Sequence, residues 1–204
     1  MSIDTNRYEH QRHEAIRAAA AVFAEKGFHG ASTRDIAERL GIKQGSLYYY
    51  FKSKEEALGE VCLFGIGEYV ARMKTIAAGE QPFEAKIIAT ITSHLTSYRE
   101  RNEALKVHND ERLYLPEEKR AKLKAMGSDY RRRLERIFEE GIAQGAVRDD
   151  VDCHFAAQAI IGMCNAWGDL IVRDHELDLF DIIQKCTDLV LNGFGERRKK
   201  MRSH

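Results

Sequence analysis

Residues 32–54 read STRDIAERLGIKQGSLYYYFKSK, and this stretch constrains the fold more than any other part of the chain. Its first half predicts a short helix from Thr33 to Leu40, with Ser32 and Thr33 as good N-cap residues and Gly41 in the left-handed conformation that ends a helix. A second short helix follows within a few residues, and its outward positions carry small or polar side chains without an acidic group. The pattern predicts a helix-turn-helix whose second helix suits the major groove of DNA.

The apolar residues of this stretch are spaced so that both helices share one buried seam. Because Tyr50 and Phe51 continue that seam, we expect them in the core and not on the DNA side. The seam comprises Ile36, Ala37, Leu40, Ile42, Leu47, Tyr50 and Phe51.

Charge is distributed unevenly along the chain, although the total is zero. Residues 41–54 contain three lysines and no Asp or Glu. Residues 1–54 hold nine Lys and Arg against six Asp and Glu, a net charge of +3, so residues 55–204 carry 23 against 26, a net charge of −3. A basic N-terminal part suits contact with phosphates, and the small excess predicts modest non-specific affinity for DNA.

The motif resembles the DNA-binding motif of the tetracycline-repressor (TetR) family of transcriptional regulators. The elements T-R-D-I-A, L-G-I, G-S-L-Y-Y-Y-F and K-S-K-E occur in the order typical of that family, after a first helix that ends at Gly27-Phe28. The resemblance covers residues 9–69 and implies a DNA-binding domain there, followed by a ligand-binding and dimerisation domain at 70–204. An ordinary helical hairpin with solvated polar residues is the structural alternative.

The resemblance also implies which residues contact DNA. It assigns phosphate contacts to Thr33 and Lys54 and a guanine edge to Arg34, and it places the start of the second short helix nearest the bases. For Tyr48 and Tyr49 it implies phosphate and thymine-methyl contacts, and packing is the alternative for both. The expected DNA-binding residues are Thr33, Arg34, Lys43, Gln44, Gly45, Ser46, Tyr48, Tyr49 and Lys54.

Two prolines and an abundance of Ala, Leu, Glu, Lys and Arg favour an all-α fold of about nine helices. Glycines and prolines divide the region after residue 53 into six predicted helices, and Ile88 is among the residues that we expect to be buried. The predicted ranges are 54–78, 83–101, 102–113, 116–144, 151–174 and 178–194.

Several classes of protein lack support in the sequence. The N-terminus has no apolar stretch of a secretory signal, no run of about 18–20 apolar residues predicts a membrane span, and phosphate-binding, zinc-protease and serine-hydrolase signatures are missing. The wide spacing of Cys62, Cys153, Cys164 and Cys186 predicts reduced thiols in a cytoplasmic protein, with a redox-sensing cysteine as the alternative. We expect no enzyme activity, cofactor or metal. A helical adaptor that binds proteins and not DNA is a further alternative, but such an adaptor would not need the basic segment at 41–54.

The predicted helix 151–174 carries apolar and small residues on more than one face, so we expect it to be buried on two sides. The resemblance implies that the last two helices pair with those of a second subunit, and a monomer core is the alternative. The expected interface residues are Phe155, Ala159, Gly162, Ala166, Ile182, Cys186 and Leu189.

Polar residues within apolar helices are candidates for a ligand site, although each suits a hydrogen-bonded core or the surface equally well. They are His94, Tyr98, His108, Asn109, Asn165 and Trp167.

The resemblance implies a ligand-responsive regulator, most often a repressor, that binds a palindromic operator as a dimer. Residues 98–152 are similar to members tied to fatty-acid, acyl-CoA or sterol breakdown, which favours a hydrophobic or acyl-CoA-type effector. A repressor of an efflux pump, released by a cationic or aromatic drug, is the alternative. Pockets for cationic drugs tend to use buried acidic residues, and few acidic residues of this chain lie within apolar runs. Glu68 and Asp169 come nearest to such a position. The basic segment 196–202 is expected to be a solvated tail, with nucleic-acid contact as its alternative.

Overall fold

The computed structural model describes residues 3–174 and 176–194, so the basic segment 196–202 lies outside the described residues. Within them the chain forms nine α-helices and no strand, which confirms the predicted all-α class. A 3-10 turn, Arg112–Tyr114, follows the sixth helix. The helices are α1 Ile3–Gly30, α2 Thr33–Leu40, α3 Gln44–Leu47, α4 Lys54–Ala78, α5 Phe83–Glu100, α6 Asn102–Glu111, α7 Glu117–Ala143, α8 Cys153–Arg173 and α9 Leu179–Phe194.

The chain forms two compact units. The first contains the residues up to Glu68 together with Arg101–Ala125, and the second contains Tyr69–Glu100 together with the residues from Met126 onward. The first unit therefore includes α6 and the start of α7 as well as α1–α3 and the first part of α4. The division into domains at 9–69 and 70–204 stays a prediction.

In the first unit, α1 packs against α2 and α6. Ile36 on α2, Leu47 on α3 and Phe51 just after it are buried there, so the apolar seam anchors both helices of the predicted motif. The helices α4 and α6 cross closely at Gly65, where a Cβ atom would lie 2.9 Å from the carbonyl oxygen of Ala104. A glycine is required at this position because any side chain would push the two helices apart.

In the second unit, α5 packs against α8 and α9. Ile87 and Ile91 are buried on the inner face of α5, but Ile88 is exposed. The prediction that Ile88 is buried is wrong, because a residue next to Ile87 is turned by about 100° around the helix axis. The apolar stripe of α5 is therefore narrower than its composition indicates.

The helix α8 has a buried face and an exposed apolar face. Among the described residues, it is the one helix that is long and apolar enough to cross a membrane by length and composition. Of its most apolar 18-residue segment, 33% is buried. This is weak evidence for a span, since a core helix of a soluble protein has the same length and composition. Phe155 and Leu170 are large apolar residues on the exposed face of α8.

Candidate nucleic-acid interface

The start of α2 is fixed by a capping box. The Ser32 hydroxyl accepts a hydrogen bond from the Asp35 backbone N–H at 3.2 Å, and the Asp35 carboxylate accepts one from the Ser32 N–H at 2.8 Å. Lys26 donates a further hydrogen bond to Asp35 at 2.6 Å. The bonds from Lys26 and then Ser32 lower the pKa of Asp35 to about 2. Of the two N-cap residues that the sequence offers, Ser32 caps the helix and Thr33 is its first residue, and Asp35 supplies the reciprocal bond.

The turn between α2 and α3 has the geometry that its glycine predicts. Gly41 adopts φ 72° and ψ 28°, and its N–H donates to the carbonyl of Glu38 at 3.0 Å. The helix α3 has a single turn, and the chain continues with a hydrogen bond from the Phe51 N–H to the Leu47 carbonyl at 3.0 Å. Since Leu47 and Phe51 are both buried, this short helix is held by its apolar side.

The outward side of α2 and α3 forms one polar surface. Residues 43–46 are exposed, and Arg34 is exposed on α2 beside them. The Gln44 amide donates a hydrogen bond to the Thr33 hydroxyl at 3.1 Å, which joins the start of α3 to the start of α2. A Cβ at Gly45 would meet nothing within 4 Å, so no packing within the described residues requires glycine there. The bare backbone at this position is open to close approach from outside.

The tyrosines that follow α3 differ in exposure. Tyr48 is 53% exposed and Tyr49 is 70% exposed, so neither is part of the core. Tyr50 is half-buried, and its ring lies 5.5 Å from that of Tyr49 and 6.4 Å from that of Tyr8 on α1. The prediction that Tyr50 belongs to the core is therefore only partly correct, because its ring packs against two other tyrosines at the surface. No periodicity in the sequence indicates the contact with Tyr8.

Lys54 has partners within the chain. Its ammonium group donates hydrogen bonds to the carbonyls of Phe28 at 2.8 Å and Ala31 at 2.9 Å, and lies 4.4 Å from the centre of the Phe28 ring. These contacts occupy two of the three N–H donors and tie the start of α4 to the end of α1. One N–H donor remains for a phosphate, so the expected role of Lys54 as a phosphate anchor stays a prediction.

The predicted ligand residues are divided between the two units. His94, Tyr98, Asn165 and Trp167 belong to the second unit, whereas His108 and Asn109 lie on α6 in the first unit. Which of these residues contact a ligand stays a prediction.

His94 is the centre of a polar cluster in which His94, Tyr98 and Tyr130 are buried and Asn165 is exposed. Its Nε2–H donates to the Asn165 side-chain oxygen at 3.0 Å, and its Nδ1 accepts from the Tyr130 hydroxyl at 3.1 Å. The Tyr98 hydroxyl donates to the same Asn165 oxygen at 3.3 Å, and the Tyr69 ring stacks on the imidazole at 4.7 Å. Burial lowers the pKa of His94 to about 4, despite an opposing effect of the bond with Asn165. The cluster satisfies its own hydrogen bonds and fits the core alternative for His94 and Tyr98.

The predicted interface residues also divide into two groups. Phe155, Gly162, Ala166 and Leu189 are exposed and Ala159 is half-buried, as a surface for a second subunit requires. Ile182 and Cys186 are instead only 5% and 3% exposed. Their assignment to the interface is wrong because they face the core of their own chain. Leu170 and Phe180 are exposed apolar residues that belong in this group, and Leu170 lies one turn beyond Ala166 on α8.

The described residues contain no group of three or more His, Cys, Asp or Glu side chains that could hold a metal ion. All four cysteines are free thiols. Burial raises the pKa of each thiol, to about 12 for Cys62. A raised pKa suppresses the reactive thiolate, which argues against the redox-sensor alternative.

Two family models match the chain: "Bacterial regulatory proteins, tetR family" over residues 15–61 and "Tetracyclin repressor-like, C-terminal domain" over residues 80–194. The transcriptional repressor KstR2 of Rhodococcus jostii is 29% identical over 75% of this chain and 76% of its own length. The fatty acid metabolism regulator protein of Bacillus subtilis is 26% identical over 90% of this chain and 95% of its own length. A crystal structure of FadR from Bacillus subtilis in complex with stearoyl-CoA is also similar, with a TM-score of 0.74 and 26% identity over 89% of this chain and 98% of that one.

Proposed function

This chain belongs to the TetR family of bacterial regulatory proteins, and from that premise we propose a ligand-responsive repressor that binds a palindromic operator as a homodimer. The observation that carries the proposal is the polar surface of α2 and α3, where Gln44 is joined to Thr33 and the backbone at Gly45 is uncovered. The relatives named above are regulators and not enzymes, and we assign no catalysis to the chain.

The exposed residues on this surface supply both kinds of DNA contact. Residues 44–46 lie at the start of α3, where the side chains of a recognition helix reach base edges. Thr33 and Lys43 add a hydroxyl and a cationic group that suit phosphates, and Arg34 is expected to reach a guanine edge. We expect Tyr48 and Tyr49 to reach the backbone or a thymine methyl, since both rings are exposed.

A recognition helix of one turn reads few bases, so specificity requires a second copy. The exposed apolar face of α8 and α9 supplies a surface for that copy, and two-fold symmetry then matches a palindromic operator. We expect Gly162 and Ala166 on this face to let two helices approach closely, and Leu170, Phe180 and Leu189 are larger exposed apolar residues on the same two helices. Such a regulator acts in the cytoplasm.

The proposed effector is a hydrophobic or acyl-CoA-type molecule, as the FadR complex with stearoyl-CoA suggests by analogy. A cationic drug, the alternative effector, would need an available buried carboxylate. Of the two acids nearest to that role, Glu68 forms an ion pair with Arg101 and Asp169 is exposed. These observations favour the acyl-type effector.

The first experiment is selection of DNA fragments by the purified protein, followed by binding measurements on the recovered duplex. We expect Gln44→Ala and Tyr48→Ala each to weaken binding by about 1–3 kcal/mol with an unchanged circular dichroism spectrum. Gln81→Ala, an exposed change between α4 and α5, is the control and keeps the wild-type affinity. Wild-type affinity in both site variants would refute this reading surface.

The effector is tested by calorimetry of the protein alone, with stearoyl-CoA and with a cationic rhodamine as separate titrants. Binding of stearoyl-CoA, with loss of the retained duplex when it is added, is the expected result. Binding of the rhodamine alone would support the efflux-pump alternative. Free coenzyme A, which lacks the acyl chain, is the control for binding through the nucleotide part alone.

A further inference from the structure

We propose that Tyr8, which precedes the matched region 15–61, is a positioning residue that orients Tyr49 for its contact with DNA. This inference rests on the proposed function, because it concerns the same DNA-binding surface. It adds a residue from the first turns of α1, where neither the motif nor the family model assigns a role.

Three tyrosine rings form a closed cluster at the end of α3. The ring centres of Tyr8 and Tyr49 are 5.4 Å apart with perpendicular planes, and those of Tyr8 and Tyr50 are 6.4 Å apart and nearly parallel. Tyr49 and Tyr50 complete the triangle at 5.5 Å with an angle of 83°. These edge-to-face and stacked arrangements are the ones that aromatic rings prefer.

Tyr49 needs such support because of its place in the chain. It follows a helix of four residues and is 70% exposed, so its own helix provides little packing to hold the ring. An exposed side chain that must adopt one orientation on binding loses conformational entropy at that moment. A ring already held by Tyr8 has lost part of that freedom before it meets DNA.

Tyr8 is itself held in place. Arg12, one turn further along α1, forms an ion pair with Glu60 of α4. Ala15 and Ile16 in the following turn are buried. Since residues at positions i and i+4 lie on the same face of a helix, Tyr8 and Arg12 share the side of α1 that faces the rest of the first unit. The support for Tyr49 therefore comes from a helix anchored at several points.

The test compares binding of the selected duplex by Tyr8→Ala, Tyr49→Ala and the double variant. An edge-to-face ring pair contributes about 0.5–1.5 kcal/mol, so we expect Tyr8→Ala to weaken binding about 2- to 13-fold. In the Tyr49→Ala background the same change is expected to have no further effect. Tyr8→Phe keeps the ring and is expected to retain wild-type affinity, and Gln11→Ala is the exposed control on α1.

Thermal unfolding of each variant separates positioning from general loss of stability. An equal loss of affinity on changing Tyr8 in both backgrounds would show that Tyr8 acts on the fold and not on Tyr49, and would overturn the proposal. Wild-type affinity of Tyr8→Ala would also overturn it, while the proposed function would stand. Failure of the wild-type protein to retain any duplex would instead refute the proposed function, and the inference with it.

Discussion

Two polar side chains that resembled binding residues have internal partners. His94 uses both ring nitrogens within its cluster, and Lys54 uses two of its donors on carbonyls of the first unit. An internally bonded polar group contributes to stability first, because leaving its partner unsatisfied in a buried place is costly. Substitutions at these two residues are therefore expected to lower the stability of the protein, and not only its affinity for an effector or for DNA.

The His94 imidazole makes stability depend on pH. Its pKa is lowered from 6.5 to about 4, so the unfolded chain binds the proton more readily between these values. The unfolding free energy is expected to fall as the pH decreases from 6.5 to 4, by about 3 kcal/mol at most from this residue. Burial lowers the pKa of His108 to about 4 as well, which acts in the same direction.

Chemical denaturation at several pH values measures this dependence. His94→Gln is expected to be less stable at neutral pH but to show a shallower slope between pH 6.5 and 4 than the wild type. Tyr98→Phe removes a hydrogen bond of the same cluster without removing an imidazole, and it should keep the wild-type slope. An unchanged slope in His94→Gln would contradict the neutral, buried state of His94.

Lys54→Ala removes two hydrogen bonds to carbonyls and a cation–π contact. We expect a loss of stability of about 1–3 kcal/mol, seen as a lower melting temperature, together with weaker binding to all DNA sequences. Lys52→Ala is the matched control, since Lys52 is exposed in the same basic window. A wild-type melting temperature for Lys54→Ala would show that these internal contacts do not stabilise the fold, and would leave a phosphate contact as the only role of Lys54.

At the scale of helices, glycines distinguish close contacts from open surface. On α8, a Cβ at Gly168 would overlap the ring of Tyr98 on α5, whereas a Cβ at Gly162 would meet nothing within 4 Å. The two glycines lie on the same helix but on different faces. One allows α5 and α8 to pack, and the other belongs to the exposed face proposed for a second subunit.

Substitution of these two glycines by alanine should change the free energy of unfolding by different amounts. Gly168→Ala is expected to destabilise the protein by about 1–3 kcal/mol, because the added methyl group forces the Tyr98 ring or the helix to move. Within one subunit Gly162→Ala is expected to be neutral or slightly stabilising, since alanine favours the helix by about 0.5–1 kcal/mol. Any loss of stability from its methyl group is expected only at the proposed dimer interface. Urea denaturation of both variants checks this, and equal stability of the two would contradict the assigned packing.

At the scale of the whole molecule, the exposed apolar residues of α8 and α9 are the main evidence for a homodimer. Phe155, Leu170, Phe180 and Leu189 are all large apolar side chains that the single chain leaves uncovered. A soluble monomer rarely exposes such a surface without a partner. Coverage by a second copy also supplies the two recognition helices that a palindrome requires.

Leu189→Glu and Phe180→Glu place a charge on this surface and are expected to shift the protein toward the monomer, with at least about tenfold weaker DNA binding. Sedimentation velocity measures the oligomeric state. Ile88→Glu changes an exposed apolar residue on α5, outside this face, and should leave the dimer intact. A dimer that persists in both α8–α9 variants would refute the proposed interface.

The local features of the first unit were determined by the sequence alone. The bounds and caps of α2, the left-handed Gly41 and the buried seam depend on residues within about four positions of one another, where backbone geometry leaves few choices. The basic window at 41–54 is likewise a property of neighbouring residues.

Only the tertiary structure decided which side chains meet across the chain. Lys54 bonds a carbonyl 26 residues away, and His94 bonds a residue 71 positions away. The inward direction of Ile182 and the contact of Tyr8 with Tyr49 are of the same kind. Periodicity identifies the apolar faces of a helix, but the packing of whole helices determines which face is covered and by what, because that choice depends on residues that the local pattern does not contain.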